Sequence, residues 1–278
     1  MAEPLIRAMT AADVAPAAEM IRRGEWGDRS SFLAWVVGYA PSHVFVADDA
    51  GRIVGTGIAT ANGPVGWVGT IFVAPERRRE GLGGALTRTV IDDLESRGCR
   101  TLVLIATDAG RPLYERLGFE VHVPHVFYTA AGLAPDEAHD GVRPFDPTML
   151  PAMITLDQLA TGEDRSALLQ RLASPESARV LLGGHGSLRA FLIRTPWGGV
   201  SLMAPEADDA IRLLDWRRHE AGTDHPVYAG LPDGDDGRRA RLLSEGWTPA
   251  GAGTRMIRGE PLDWHPDWIW GSFSGALG

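Results

Sequence analysis

Lysine is missing from this chain, and arginine supplies all 27 of its basic side chains. This absence excludes the nucleotide-binding P-loop G-x-x-x-x-G-K-[ST], whose lysine reaches the terminal phosphates. Cysteine is nearly missing as well, because the single Cys99 can form neither an internal disulfide nor a cysteine metal cluster. The eight histidines show no metal-ligand spacing, so we predict that the protein binds no metal.

Long apolar runs are also missing. No segment approaches the ~20 residues of a membrane helix, and Glu3 stands where a secretion signal carries basic residues. We therefore expect a cytoplasmic protein with no membrane partner. The formal net charge of −9 argues against a nucleic-acid partner, because a polyanion is bound by a basic face. The expected partner is a small molecule, and the oligomeric state stays open between a monomer and a homodimer.

The apolar pattern of the first half predicts the element order βααβββαβαβ. Residues 101–107 are nearly all apolar, which is typical of a buried parallel strand, and an amphipathic helix precedes them. Its inward face consists of Leu86, Val90, Ile91 and Leu94, at helical spacing. The expected fold class is α/β (α+β), a mixed and mostly antiparallel sheet flanked by helices.

The same pattern partly repeats in the second half. "VSLMAPEADDAIRLLDWRRHEAG" parallels "TIFVAPERRREGLGGALTRTVIDDLESRG", and residues 131–152 have the Ala, Pro, Asp and Gly content of a linker. We predict two tandem domains, residues 1–130 and 153–278. The second is a degenerate copy, because the glycines and the arginine cluster are missing after Pro205, and Leu242 stands where the first copy has Tyr114.

The segment "FVAPERRREGLGGAL", residues 72–86, places three consecutive arginines and three glycines between a strand and a helix. Gly81, Gly83 and Gly84 would present unpaired backbone amides at the positive end of a helix dipole. Glycine costs about 1 kcal/mol relative to alanine inside a helix, so a solvated loop does not explain this composition. The dinucleotide fingerprint G-x-G-x-x-G is disfavoured, because Leu86 stands where its last glycine belongs. The segment therefore predicts a phosphate site.

"VAPERRREGLGGAL" resembles the acyl-CoA pyrophosphate loop of the GNAT superfamily of N-acyltransferases, V-x-P-x-x-R/Q-x-x-G-x-G/A. Val73, Pro75, Arg78, Gly81 and Gly83 fill that pattern without a gap. The strand-helix-strand context extends the resemblance from about residue 5 to residue 128. The tandem pattern is similar to a bacterial subgroup with two GNAT-like domains. The resemblance implies acetyl-CoA as the co-substrate, with one donor site in the first copy.

The resemblance also implies which residues contact the donor. The pantetheine arm is expected between the fourth and fifth strands, along the backbone of Ile71, Phe72 and Val73. The pyrophosphate is expected on Arg78, Arg79, Glu80, Gly81, Leu82, Gly83, Gly84 and Ala85. Beyond the fifth strand the implied contacts are Thr107, Gly110, Arg111 and Pro112, and Thr107 stands where relatives commonly carry asparagine.

Tyr114 in "LYERLGF" matches the position of the family's general acid, which would protonate the departing thiolate. A tyrosine on an amphipathic helix is more often core, and only its place in the motif favours the catalytic role. The base is open, because "GWVGTIFV" contains no carboxylate. Weak acceptor-side candidates are Glu25, Trp26 and Asp108, and a solvated carboxylate is the simpler interpretation of the two acids.

The C-terminal segment "LDWHPDWIWGSF" contains Trp264, Trp268 and Trp270, which either wall an acceptor pocket between the halves or belong to the core. The leading functional hypothesis is an N-acetyltransferase that transfers an acetyl group from acetyl-CoA to a small-molecule amine by direct attack in a ternary complex. Two alternatives stay open: a non-catalytic acyl-CoA sensor or scaffold, and an O-acyltransferase.

Overall fold

A computed structural model describes residues 3–134 and 141–278. The first half contains the ten predicted elements in the predicted order. They are β1 (Leu5–Ala8), α1 (Val14–Arg23), α2 (Ser30–Val37), β2 (Ser42–Asp49), β3 (Arg52–Asn62), β4 (Val65–Val73), α3 (Leu82–Ser96), β5 (Thr101–Ala106), α4 (Arg111–Arg116) and β6 (Glu120–Ala130).

The second half repeats that order and adds one strand. Its elements are β7 (Val142–Pro144), α5 (Leu150–Thr161), α6 (Ser166–Leu172), β8 (Ala178–Leu182), β9 (Leu188–Arg194), β10 (Val200–Met203), α7 (Ala207–Ala221), β11 (Val227–Pro232), α8 (Asp236–Ser244), β12 (Thr248–Gly259) and β13 (Ile269–Gly271). The succession from β10 to β12 matches the succession from β4 to β6. The sequence repeat therefore corresponds to a structural repeat.

The strands form two sheets, flanked by helices, which confirms the predicted fold class. The larger sheet has the order β1-β2-β3-β4-β5-β12-β6-β11, and the smaller one has the order β13-β10-β9-β8-β7. Strand β12 lies between β5 and β6, so that Thr254 is opposite Ala106 and Thr248 is opposite Thr129. The larger sheet is therefore built from both halves, which the sequence pattern did not indicate.

The predicted domain bounds stay a prediction. Strand β7 and the beginning of α5 fall inside the predicted linker 131–152. Residues 135–140 of that linker lie outside the described residues. In the two described segments, no helix combines the length and the apolar character that crossing a membrane requires.

Helix α3 packs closely on the larger sheet because glycines lie beneath it. A Cβ built on Gly57 or on Gly66 would lie 3.0 Å from a side-chain carbon of Val90 or of Leu94, respectively. The predicted inward face is confirmed, and each of its side chains contributes about 1.5–3 kcal/mol of burial. Its buried members are Leu86, Val90, Ile91 and Leu94. This packing holds the beginning of α3 next to the end of β4.

Candidate active site

Strands β4 and β5 separate at the position where the family resemblance predicts the pantetheine arm of the donor. They pair in parallel only from Val65 to Trp67. Farther along β4, the register with β3 shifts, and Thr70 lies in that shift with a φ of +48°. The Thr56 Oγ1 hydroxyl donates to the Thr70 carbonyl over 2.9 Å and supports the distorted backbone. Within the described segments, the edge of β4 that faces β5 has no strand partner beyond Trp67, and Ile71 belongs to this free stretch.

A run of backbone amides at the beginning of α3 donates to no protein acceptor. For residues 3–134 and 141–278, the amides from Arg79 to Gly84 have no acceptor, and the Ala85 amide is the first to bond, to the Gly81 carbonyl over 3.0 Å. No side chain caps this helix. Arg79 and Gly81 have φ values of +67° and +85°, a turn geometry that can direct successive N–H groups toward one point. Such an arrangement binds an anion.

The glycines of this run are not required by packing inside the protein. A Cβ built on Gly83 would lie 3.7 Å from Val73 Cγ2, and one built on Gly84 would lie 3.5 Å from the Arg88 guanidinium. Both are ordinary contacts. A Cβ on Gly81 would meet no atom of the described residues within 4 Å, although its positive φ favours glycine. The bare backbone is therefore explained better by close approach of a ligand than by packing.

The three arginines of the loop have different roles. Arg77 is buried, and its guanidinium binds the carboxylates of Asp49 and, over 2.8 Å, Glu80. Glu80 therefore offers an anion only its backbone amide. Arg78 and Arg79 are exposed, and the Arg78 guanidinium lies 5.6 Å from the centre of the Phe72 ring. Only these two arginine side chains of the cluster can reach a phosphate.

The corresponding place in the second half is built differently. Helix α7 has Asp208 and Asp209 in its first turn. The buried Asp209 carboxylate pairs with Arg189 over 2.8 Å. These carboxylates interact favourably with the positive end of the α7 dipole, and they repel a phosphate. The beginning of α3 has no carboxylate at the corresponding position.

Tyr114 lies on α4, beside the beginning of α3. The neighbouring Leu113 would contact a Cβ built on Gly83, at 3.8 Å. The Tyr114 ring packs edge-on against Phe119, with 6.1 Å between the ring centres, and its hydroxyl donates to no group in the described part of the chain. Burial raises the pKa of Tyr114 to about 12, so the phenol keeps its proton at neutral pH. A free, protonated hydroxyl can serve a ligand as a proton donor.

The remaining predicted contacts surround the same opening. The Thr107 hydroxyl accepts from the Gly110 amide over 3.2 Å and shapes the turn before α4. Pro112 lies in the first turn of α4. Asp108 is exposed in this turn. On the other side, the Trp26 ring lies 5.4 Å from the Phe72 ring of β4.

Glu25 is exposed beside Trp26, with a φ of +65°. The roles of all these residues stay predictions. Their positions are consistent with one opening at the end of β4.

Sequence reasoning missed a buried polar cluster between the halves. A cavity of about 20 Å³ has Trp67, His125, Glu163, Arg255 and Trp264 in its wall. Of the predicted aromatic group, Trp264 lines this cavity, Trp268 packs against the hydrophobic core, and Trp270 is buried in the core. Glu163 stands in "TGEDRS", a segment typical of an exposed turn, so no local signal could have identified it.

No cluster of three or more His, Cys, Asp or Glu side chains that could hold a metal ion occurs among residues 3–134 and 141–278.

Residues 12–119 match the family model of the Acetyltransferase (GNAT) family. Two curated proteins are similar over part of the chain. Mycothiol acetyltransferase of Thermobispora bispora is 36% identical over 100 residues, which are 32% of this chain and 34% of that protein. Glucosamine 6-phosphate N-acetyltransferase of Trypanosoma brucei brucei is 33% identical over 86 residues, 28% of this chain and 58% of that protein. The matches thus span about a third and somewhat more than half of these relatives.

Solved structures share the fold over nearly the whole chain. A proposed acetyltransferase from Pyrococcus horikoshii has a TM-score of 0.83 at 20% identity, covering 100% of this chain and 97% of that one. A tandem GNAT protein from the clavulanic acid biosynthesis pathway has a TM-score of 0.60 at 14% identity, covering 94% of this chain and 100% of that one. At these identities the likeness concerns the fold alone.

Proposed function

From the GNAT acetyltransferase family domain at residues 12–119, we propose that this protein is an acetyl-CoA-dependent N-acetyltransferase acting on a small-molecule amine. The transfer is a direct attack of the amine on the thioester in a ternary complex. One donor binds per chain, in the first half.

The observation that carries this proposal is the run of unpartnered amides from Arg79 to Gly84 at the beginning of α3. It lies beside the free edge of β4, so one extended ligand can place a diphosphate on the helix and an amide-bearing arm along the strand. Arg78 and Arg79 add positive charge at the same end. A pantetheine diphosphate has this combination of groups.

The residues present fit the donor's chemistry at its other end as well. Tyr114 keeps its proton at neutral pH and has a hydroxyl without a partner in residues 3–134 and 141–278. That hydroxyl would donate its proton to the sulfur as the carbon–sulfur bond breaks. The edge of β4 that faces β5, which has no strand partner along Ile71, Phe72 and Val73 among the described residues, would hold the arm in register.

The second candidate function is a non-catalytic acyl-CoA sensor. The degenerate second half, with Asp208 and Asp209 in place of an anion site, favours it, because one of two copies has lost ligand chemistry. A sensor would bind acetyl-CoA without releasing its thiol on any acceptor.

The experiment pairs calorimetric titration of acetyl-CoA with a thiol-release assay over a panel of primary amines. Glucosamine 6-phosphate belongs in that panel because one relative is named for it. We expect binding with one donor per chain and amine-dependent thiol release. Binding without release on any amine would favour the sensor, and absence of binding would contradict both functions.

Matched charge variants locate the donor site. Gly83→Glu places a carboxylate among the free amides and should abolish donor binding. Ser96→Glu introduces the same charge at the exposed far end of α3 and should leave binding unchanged. Equal affinities of the two variants would refute the assignment of the pyrophosphate site.

A further inference from the structure

Glu163, from the second half of the chain, lies against strand β4 of the first half. Its side chain is 3% exposed. The carboxylate accepts from the Trp67 indole N–H over 2.9 Å and from the Asn62 amide over 2.8 Å. The Arg255 guanidinium is 3.9 Å away, which is long for a charged hydrogen bond. A strand that contains no carboxylate of its own thus has one supplied by a remote segment.

The position of Trp67 relates this carboxylate to the candidate active site. Trp67 is the last residue of β4 that pairs with β5, so the separation of the strands begins at the residue that Glu163 contacts. Successive side chains of a strand alternate between faces. Val68 packs with α3 and Tyr114, whereas Trp67 packs with Val103 on the opposite face. Glu163 and the Tyr114 hydroxyl therefore lie on opposite faces of the strand separation.

The C-terminal segment contacts both Glu163 and the stretch of β4 beyond Trp67. A Cβ built on Gly69 would lie 2.2 Å from Ala276 Cβ, and one built on Gly278 would lie 2.8 Å from both the Glu163 carboxylate and the Trp67 indole nitrogen. Ala276 and Gly278 are two residues apart, which is at most about 7 Å of chain. Because two hydrogen bonds of about 2.8 Å span about 5.5 Å, one water can bridge Glu163 to a polar group within that distance.

The cavity beside Glu163 is suited to such a water. Its volume of about 20 Å³ holds one water molecule. The His125 ring is 2% exposed, lines this cavity, and has an Nδ1 atom without a partner in the described segments. Burial lowers the pKa of His125 to about 3, so the imidazole is neutral and can share a hydrogen bond with the water.

The charges that face Glu163 are largely engaged elsewhere. Arg165 forms a buried pair with Asp157 at 2.6 Å. The Arg255 guanidinium donates to His122 Nδ1 over 2.7 Å and lies 4.2 Å from the Trp264 ring centre. Burial raises the pKa of Glu163, and the charges of Arg165 and Arg255 oppose that rise. The carboxylate is therefore more basic than an exposed one.

We propose that Glu163 is the group that takes the proton from the acceptor amine, through one water in the cavity beside Trp67. This inference rests on the proposed acetyltransferase function. The second half then supplies the base of the reaction, because β4 contains no carboxylate.

The acceptor ammonium transfers one proton through the water to the Glu163 carboxylate. The freed nitrogen lone pair then forms a bond to the acyl carbon, the carbon–sulfur bond breaks, and the Tyr114 hydroxyl protonates the sulfur. A second proton leaves the nitrogen and restores the phenol, and Glu163 releases its proton to solvent. The products are the amide, the thiol and one proton.

The kinetic test compares Glu163→Gln with the wild type, using acetyl-CoA and the best amine of the panel over a range of pH. We expect kcat to fall about 100-fold or more, within the usual contribution of a general base, while acetyl-CoA affinity is unchanged. The acidic limb of the wild-type pH–rate profile should be missing in Glu163→Gln. A kcat within threefold of wild type with the same acidic limb would overturn the proposal.

Trp67→Phe keeps the Glu163 carboxylate, and the direction in which it should shift the acidic limb of the pH–rate profile can be stated. The indole hydrogen bond lowers the pKa of Glu163, so its removal should move the acidic limb to higher pH. This variant also carries the test if Glu163→Gln does not fold. If the acidic limb of Trp67→Phe had the same midpoint pH as that of the wild type, Glu163 would not be the group that titrates in this limb.

The Trp67 indole N–H resonance gives a readout independent of turnover. In the wild type we expect it to titrate with a midpoint above the ordinary glutamate value of about 4.3, and at the pH of the kinetic limb. The titration should be missing in Glu163→Gln. A midpoint more than about one pH unit from the kinetic limb would overturn the proposal.

Asp209→Asn is the matched control, because Asp209 is another buried acid of the second half and pairs with the half-exposed Arg189 away from the cavity. Its pH–rate profile should equal that of the wild type. If the wild type binds acetyl-CoA but releases no thiol with any amine, the proposed function fails and this inference fails with it. Loss of the limb in both Asp209→Asn and Glu163→Gln would instead overturn the inference alone.

Discussion

At the scale of single residues, two tyrosines show how position decides the role of one side-chain type. Burial raises the pKa of both Tyr114 and Tyr39 to about 12. Tyr39 lies in the hydrophobic core beside Trp35, whereas the Tyr114 hydroxyl is free next to the beginning of α3. The raised pKa alone therefore does not distinguish a catalytic phenol from a structural one.

Tyr114→Phe should lower kcat about 100-fold at neutral pH and leave acetyl-CoA affinity unchanged, because only the proton donor is removed. Tyr39→Phe is the control, with an equally raised pKa, and should turn over like the wild type. Steady-state kinetics and calorimetry on both variants check this. A normal kcat for Tyr114→Phe would show that the thiolate leaves without this donor.

The same pKa has a consequence for the alkaline side of the pH–rate profile. The folded-state value lies above the ordinary value of about 10, so the proton stays on Tyr114 below pH 10 and is lost as the pH rises through about 12. Between pH 8 and pH 10, the wild-type rate should therefore show no decrease caused by ionisation of Tyr114. The pH–rate profiles of the wild type and of Tyr114→Phe should have the same shape in this range. A fall with a midpoint near 9 that is missing in Tyr114→Phe would contradict this assignment.

At the scale of elements, the glycines at the beginning of α3 lower the stability of the helix although packing does not require them. Glycine in a helix is less stable than alanine by up to about 1 kcal/mol. The structure leaves ordinary space for a Cβ at Gly83, so packing does not require the glycine. Alanine at this position should therefore raise the stability of the helix, whereas a branched side chain should obstruct the ligand.

Gly83→Ala, which the loop pattern accepts, should raise the free energy of unfolding by up to about 1 kcal/mol and bind acetyl-CoA like the wild type. Gly83→Val should weaken acetyl-CoA binding by about tenfold or more, roughly 1.4 kcal/mol, because its branched side chain obstructs the diphosphate. Thermal unfolding and calorimetric titration measure the two effects. Ser96→Ala, at the exposed end of the same helix, should stabilise slightly without changing affinity. If Gly83→Val bound acetyl-CoA as tightly as the wild type, close approach of the diphosphate to this backbone would be refuted.

At the scale of the whole molecule, the two halves are joined by exchanged strands. In the described segments, β6 has only β12 and β11 as neighbours, and both come from the second half. Tyr128 and Ala130 of β6 are buried in a core that contains residues of α7 and β11. The first half therefore lacks neighbours for its last strand when it stands alone.

A fragment of residues 1–134 should neither unfold cooperatively nor bind acetyl-CoA, because β6 and one edge of β5 would lose their strand partners. Adding a separately purified fragment of residues 135–278 should restore binding. Circular dichroism melts and calorimetry measure both outcomes. Full affinity of fragment 1–134 alone would show that the strand exchange is dispensable for the donor site.

The sequence alone determined the element order and the run of unpaired amides at the beginning of α3, because both depend on residues that are close along the chain. Helical spacing identified the inward face of α3, and the unpaired amides follow from glycines within a few residues of Arg79. It did not reveal that Arg77 is sequestered by Asp49, because that pair spans 28 residues.

Tertiary structure alone decided that β12 enters the first sheet and that Glu163 meets Asn62 and Trp67, which are 101 and 96 residues away in sequence. Neither contact has a local signature, since a strand or a glutamate has the same composition whichever partner it finds. The physical reason is that burial, not residue type, gives Glu163 its raised pKa, and burial is a property of the assembled halves.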